Sequence, residues 1–263
     1  MRTSNPVLND QAFNQSGNYG TDQSMTIQGT VNKSFVLLGL LMLTAGWVWS
    51  QVSSVAAPIL NDTNYGSTTQ TPSIVMMAIM VGGIGGFIVA LITTFKKVWS
   101  PVTAPIYALL EGLVIGGISA FFEMRYPGLV IQAVGLTFGT LLSLLLVYKS
   151  GLIKVTRKFQ MGLMAATGAI AIFYLVVFIA SLFGANMFSN MLSGSGALGI
   201  GFSLVVVTIA ALNLVLDFDF IENGSRNGQP KYMEWYGAFG LMVTLIWLYM
   251  EILRLLAKLR DRR

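Results

Sequence analysis

Of the 263 residues, 54% are apolar and only 10% charged, against about 25% charged in a soluble domain, so the chain is an integral membrane protein. It has no cysteine and no histidine, which excludes disulfides, thiolate chemistry and the commonest transition-metal ligand and leaves carboxylates, Lys and Tyr for any proton chemistry. The net charge of +5 lies in loops and at the C-terminal end, a distribution that sets membrane topology and argues against nucleic-acid binding.

Residues 1–34 are polar and rich in Asn, Gln, Ser, Thr and Gly. They predict a mobile tail with a short interfacial stretch over 25–31. No signal peptide is expected, because the apolar run starts too late, is too long and is followed by no small-residue cleavage site. Seven apolar segments follow, over about 35–55, 74–95, 106–122, 129–148, 163–183, 197–217 and 235–256. Each is close to the roughly 20 residues that cross a bilayer as a helix. The expected fold is therefore an all-α integral membrane protein of seven hydrophobic helices, one domain over 35–259, ending in a basic stretch at 260–263. Pro101 and Pro105 mark the start of the third segment, and Pro127-Gly128 parts the third from the fourth. Asn223-Gly224 and Asn227-Gly228 read as turns between the sixth and seventh. Gly82, Gly83, Gly85 and Gly86, and the Gly112/Gly116 pair, mark close helix packing.

The loop charges orient the chain. Lys96 and Lys97 follow segment two; Lys149, Lys154, Arg157 and Lys158 follow segment four; Arg226 and Lys231 follow segment six. The odd-numbered loops hold only Arg125. The N-terminus and even-numbered loops are thus expected to be cytoplasmic, in a bacterial plasma membrane. Arg254, Lys258, Arg260, Arg262 and Arg263 oppose this pattern. Segment seven either crosses against the charge rule or dips in and returns.

Ionisable groups within a bilayer cost about 2.5–3.5 kcal/mol on insertion scales and default to functional candidates. Asp217 and Asp219 sit at the end of segment six, and Glu111, Glu234 and Glu251 are the other acids near hydrocarbon. Two residues apart on a helix, Asp217 and Asp219 point about 200° from each other. Asp217 shares a face with Asn213 and Ile221, while Asp219 and Glu222 turn towards the inner aqueous interface. The plainer alternative ends the helix here and leaves all three solvated. Plainer alternatives exist for the others too. Glu251 would pair with Arg254 one turn on. Glu111 would be an inner-leaflet carboxylate near Lys96 or Lys97, and Glu234 an interfacial residue beside Trp235 and Tyr236. Two carboxylates that meet in a low-dielectric bundle titrate as one coupled unit, a proton switch that needs no histidine. They also attract cations, but calcium takes six to eight oxygen ligands. A site of two or three carboxylates holds it weakly, as permeation requires.

Leu216-Asp217-Phe218-Asp219-Phe220-Ile221 resembles the end of the sixth helix in the transmembrane Bax inhibitor motif family, the Bax inhibitor/YccA-like proteins. Leu248-Tyr249-Met250-Glu251-Ile252, with its continuation through Arg254, is similar to that family's seventh-helix motif. The likeness extends from about Thr30 to Leu259 in segment order and loop charge. It implies six helices around a central seventh and a pH-sensitive calcium leak. It also implies that Asp217 and Glu251 form the proton-sensing pair, with Lys96 or Lys97 as the basic residue that engages the sixth-helix acid. Some bacterial members are linked to a membrane-bound AAA protease, which makes such a protease a candidate partner beside the bilayer and calcium or other cations. The chain departs from the family pattern in Glu251 for Asp, Leu216 for Tyr, the extra Asp219 and a longer link over 222–232. Measured from Trp235, Glu251 lies about 24 Å along a helix. Asp217 at the inner face would then pair more readily with Glu234 or Glu111, unless segment seven is re-entrant.

The reading is a calcium or cation leak gated by protons on Asp217 and a second carboxylate, first of all Glu251. Asp219, Glu111 and Glu234, with Lys96 and Lys97, are its possible partners. Neither a cofactor nor a tightly held metal is expected. No enzyme is expected either, since the Gly-x-Gly-Asp motif of intramembrane aspartyl proteases and any histidine for a metalloprotease are missing. The rivals are a non-transporting interaction protein that modulates a membrane protease through its N-tail, and a proton-coupled secondary transporter.

Overall fold

A computed structural model describes residues 24–61, 73–184, 194 and 196–262. Its helices are α1 (Ile27–Asn61), α2 (Ser73–Phe95), α3 (Ser100–Arg125), α4 (Leu129–Lys149), α5 (Arg157–Leu182), α6 (Ala197–Arg226) and α7 (Met233–Asp261). A single 3-10 turn over Lys97–Trp99 joins α2 to α3. All seven are long and apolar enough to cross a membrane, and no strand occurs among the described residues. The segments form helices because in hydrocarbon every backbone N–H must find its acceptor within its own helix. Their outward faces carry Phe35, Leu43, Phe87, Ile131 and Ile172, all more than half exposed to the space lipid fills.

Helix α7 differs from the rest. Half of its most apolar window is buried, against 11% for α4 and for α5. It packs against α1, α3, α4 and α6, while α2 lies mainly on α3 and α5 on α6. The seventh helix is therefore central, as expected, with α2 and α5 in outer positions. The glycines permit the closest approaches. A Cβ on Gly116 would lie 2.5 Å from the Ala45 carbonyl oxygen of α1, and one on Gly82 would lie 2.5 Å from that of Leu110 on α3.

Most helices run longer than the sequence reading, α5 among them, which starts at Arg157 and not near 163; three of the departures have a plain cause. Helix α1 starts at Ile27 and not near 35, because Thr30 and Ser34 donate back to the carbonyls of Thr26 and Thr30 and so enter the helix satisfied. Helix α3 starts at Ser100, with Pro101 in its first turn, where a missing N–H costs nothing. Helix α6 runs nine residues past Asp217 to Arg226, so Asn223-Gly224 is helical. The turn lies at Asn227-Gly228, where Gly228 takes a φ of +59°. Gly224 is needed for contact: a Cβ there would be 2.9 Å from the sulfur of the buried Met25.

The bundle has two distinct ends. At one, the Met25 N–H donates to the Gln229 carbonyl (2.6 Å), the Ser100 hydroxyl to that of Tyr232 (2.9 Å), and the Tyr148 hydroxyl to Glu222 (2.5 Å). This is the N-tail end. At the other, Tyr126 donates to Asp261 (2.5 Å), Arg260 to the Pro127 carbonyl (2.7 Å), and Lys258 to that of Gly199 (3.1 Å). Helix α7 joins the two ends without a break. Its 29 residues span about 43 Å, against a hydrocarbon thickness of about 30 Å. Segment seven is thus one continuous helix long enough to cross in a single pass, without the turn back that a re-entrant segment needs, and its basic end lies opposite Lys96 and Lys97.

Candidate functional site

Asp217 stands about 13 Å inside the C-terminal end of α6, on the wall of a cleft of about 680 Å³ at the N-tail end. Lys97, Gln160, Asn213 and Asp219 line the same cleft. Across the α6–α7 interface the carboxyl lies beside Thr244, whose hydroxyl donates to the Gly240 carbonyl (3.2 Å), and its Oδ2 atom is buried and has no hydrogen-bond partner. An unsatisfied buried polar atom costs about 1–3 kcal/mol, and more for a charged group. One turn deeper, the Asn213 amide donates to the Thr167 hydroxyl (2.9 Å) and the Ile209 carbonyl (2.8 Å). Asp219 faces the cleft mouth, accepting from Gln160 (3.1 Å) and Asn223 (2.9 Å).

Glu251 lies seven residues beyond Thr244 on α7, about 10 Å further along the axis. It is 2% exposed. Its Oε1 accepts from Arg254 (2.7 Å) and from the Tyr174 hydroxyl of α5 (3.0 Å), while Oε2 is buried without a partner. The structure therefore does not bring Asp217 and Glu251 together. Each has its own partners, and Glu251 makes the Arg254 pair that was its plainer reading. The two still share one property. Among the described residues, Asp217 and Glu251 alone hold buried side-chain oxygens without a hydrogen-bond partner. Between them the interior is closed by the apolar cluster of Ala210, Leu214, Leu245 and Leu248.

The remaining candidates scatter. Lys97 reaches the Asp217 cleft and rests over the Tyr236 ring, and Lys96 covers Trp99. Glu111 sits between α2 and α3 beside Tyr107, one turn back on the same helix, and a Cβ on Gly86 would lie 3.2 Å from its Oε2. Glu234 is not a belt residue but fully buried. The Thr26 N–H and hydroxyl both donate to its Oε1 (2.9 and 2.8 Å), Lys33 pairs with its Oε2, and Lys231 lies 3.1 Å from Oε1. With these acids dispersed, no group of three that could grip a metal ion forms among the described residues.

The sequence points to a family. A family model described as Bax inhibitor 1 like matches residues 5–261. The chain belongs to this family. No curated protein matches it. Asp217 lies on α6 and Glu251 on α7. Sequence reasoning missed the residues beside Asp217, Glu251 and Glu234. Thr244, Tyr174 and Lys33 carry no local signal, because each meets its partner from another helix. Lys258 had one available sign, a lysine on the face of α7 that also carries Glu251 and Arg254.

Proposed function

We propose that this Bax inhibitor 1-like protein is a cation leak of a bacterial plasma membrane, with calcium the intended ion, and that it is closed in the state described. The single observation that supports the reading is the pair of orphaned oxygens, Asp217 Oδ2 and Glu251 Oε2. A carboxylate oxygen kept from water and from donors is relieved either by a cation or by a proton. Both agents would compete for the same oxygen, which links permeation to pH. Asp217 is the entry ligand, since its cleft opens at the N-tail end beside Asp219 and Asn213. Its few oxygens favour transit over storage. Leu214, Leu245 and Leu248 form the closed gate, an apolar constriction of the kind that conducts only when wetted. Glu251 is the second station, held shut by Arg254. In this orientation the N-tail end is cytoplasmic, where Lys96, Lys97, Lys149, Lys154, Arg157 and Lys158 gather.

The test is calcium flux into proteoliposomes at two pH values. Wild type should show flux that changes with pH, and Asp217→Asn should alter both its size and its pH dependence. An unchanged profile in the variant would remove Asp217 from the path. Wild-type flux no higher than that of empty liposomes would favour the interaction-protein alternative and make the N-tail the next target.

A further inference from the structure

The C-terminal end holds a second cleft, of about 530 Å³, that the leak reading leaves unused. Its walls come from α3 (Phe121, Arg125), α5 (Tyr174), α6 (Phe202) and α7 (Arg254, Lys258 and, at its end, the acid Asp261). Helices α3 and α5 share no extended interface, and Phe121 at the rim is 53% exposed. The cleft is thus a gap in the bundle wall, aromatic on its sides and basic within.

Its charges do not cancel. Lys258 is 5% exposed, yet its ammonium is met only by neutral acceptors, the Gly199 carbonyl (3.1 Å) and the Ser203 hydroxyl (2.8 Å). No carboxylate among the described residues comes within ion-pair distance of it. The nearby acids are committed elsewhere. Glu251 is paired with Arg254, Asp261 accepts from Tyr126, and Glu123 folds back to accept the N–H groups of Gly128 (2.6 Å) and Val130 (3.1 Å). Among the described residues Arg125 bonds only the Tyr126 hydroxyl (3.0 Å). Among the described residues only Nη1 of Arg254 is bonded, so the rest of its guanidinium is left to face the cleft. A buried ammonium without a counter-charge is costly, and the three cations outnumber the two carboxylates beside them, Asp261 and the Arg254-paired Glu251, which leaves the hollow net positive and open to an anion.

We propose that this cleft binds the phosphate of an anionic phospholipid. Lys258 serves as the buried point charge, and Arg254 and Arg125 supply planar donor forks suited to phosphate oxygens. The site lies at the aromatic rim of the bundle, where headgroups sit, and Phe121 and Phe202 offer the acyl chains an apolar path out between α3 and α5. A free inorganic anion would not need those walls. The proposal does not rest on ion conduction.

Full-length protein in mild detergent is titrated with micelles carrying phosphatidylglycerol, with phosphatidylcholine of the same chains, or with inorganic phosphate, and bound species are counted by native mass spectrometry. The expected result is one retained phosphatidylglycerol. Lys258→Gln and Arg125→Ala should each weaken it about tenfold, the scale of one charge-assisted contact, and Lys154→Ala at the opposite end should not. Arg125 is exposed and its variant tests the site even if Lys258→Gln does not fold. Equal retention of phosphatidylcholine, retention untouched by Arg125→Ala, or phosphate held without any lipid would each overturn the proposal.

Discussion

The two ends of the bundle handle buried charge in opposite ways. At the N-tail end the fully buried Glu234 is matched by two lysines and two threonine donors, so the charge is consumed within the fold. At the C-terminal end Lys258 is nearly as buried but finds only neutral oxygens. The first pattern is that of a structural tie. The second leaves a charge for something outside the chain to meet. Asp217 and Glu251 stand between, each partly satisfied. The lesson is that burial alone does not separate a structural tie from a candidate site in a membrane protein; unspent hydrogen-bonding capacity is what tells them apart.

The contrast can be broken by removing each charge in turn. Glu234→Ala should have the largest effect, a loss of about 3–5 kcal/mol, because it strands the part-buried Lys33; thermal unfolding in detergent measures it. If the protein tolerates that change, the tie is not structural. Glu251→Gln should cost about 2 kcal/mol, less because Arg254 is partly exposed and can turn to water or lipid headgroups. Asp217→Asn should leave stability unchanged or slightly raised, since no ion pair is lost, while flux at fixed pH shifts about tenfold, or 1.4 kcal/mol. A variant that unfolds instead would place Asp217 with Glu234 among the structural acids. Tyr126→Phe should cost about 1 kcal/mol through its bond to Asp261. Arg226→Ala, which opens an exposed pair with Glu222, should change stability by less than about 0.5 kcal/mol.

The sequence carried the fold because hydrocarbon demands long apolar runs, and seven such runs are plain to read. It misplaced helix ends where polar residues entered the helix. Thr30 and Ser34 bond their own backbone, and Asn223-Gly224 was read as a turn although Gly224 exists to admit Met25. The candidate site was half legible. Asp217 and Glu251 stood out as acids near hydrocarbon, and these are the two with orphaned oxygens. Their separation was signalled by the distance along α7, and the Arg254 pair of Glu251 by its spacing, but the residue of α7 that faces Asp217 was not legible. Thr244, not Glu251, lies opposite Asp217. Glu234 could not be distinguished from a belt residue, since its main partners Lys33 and Thr26 lie 201 and 208 residues away.

That last separation bears on how the protein is made. Helix α1 is synthesised first, and Lys33 and Thr26 enter the membrane long before Glu234 leaves the ribosome. The contact that fastens the start of α1 is therefore among the last to form, closing a loop of 201 residues, and contacts of such long range are slow to find. Until α7 arrives, the cleft of small residues between α1 and α3 must hold the first helix by shape alone. Insertion of the seventh helix then does two things at once: it fills the centre of the bundle, and it locks the first helix in place.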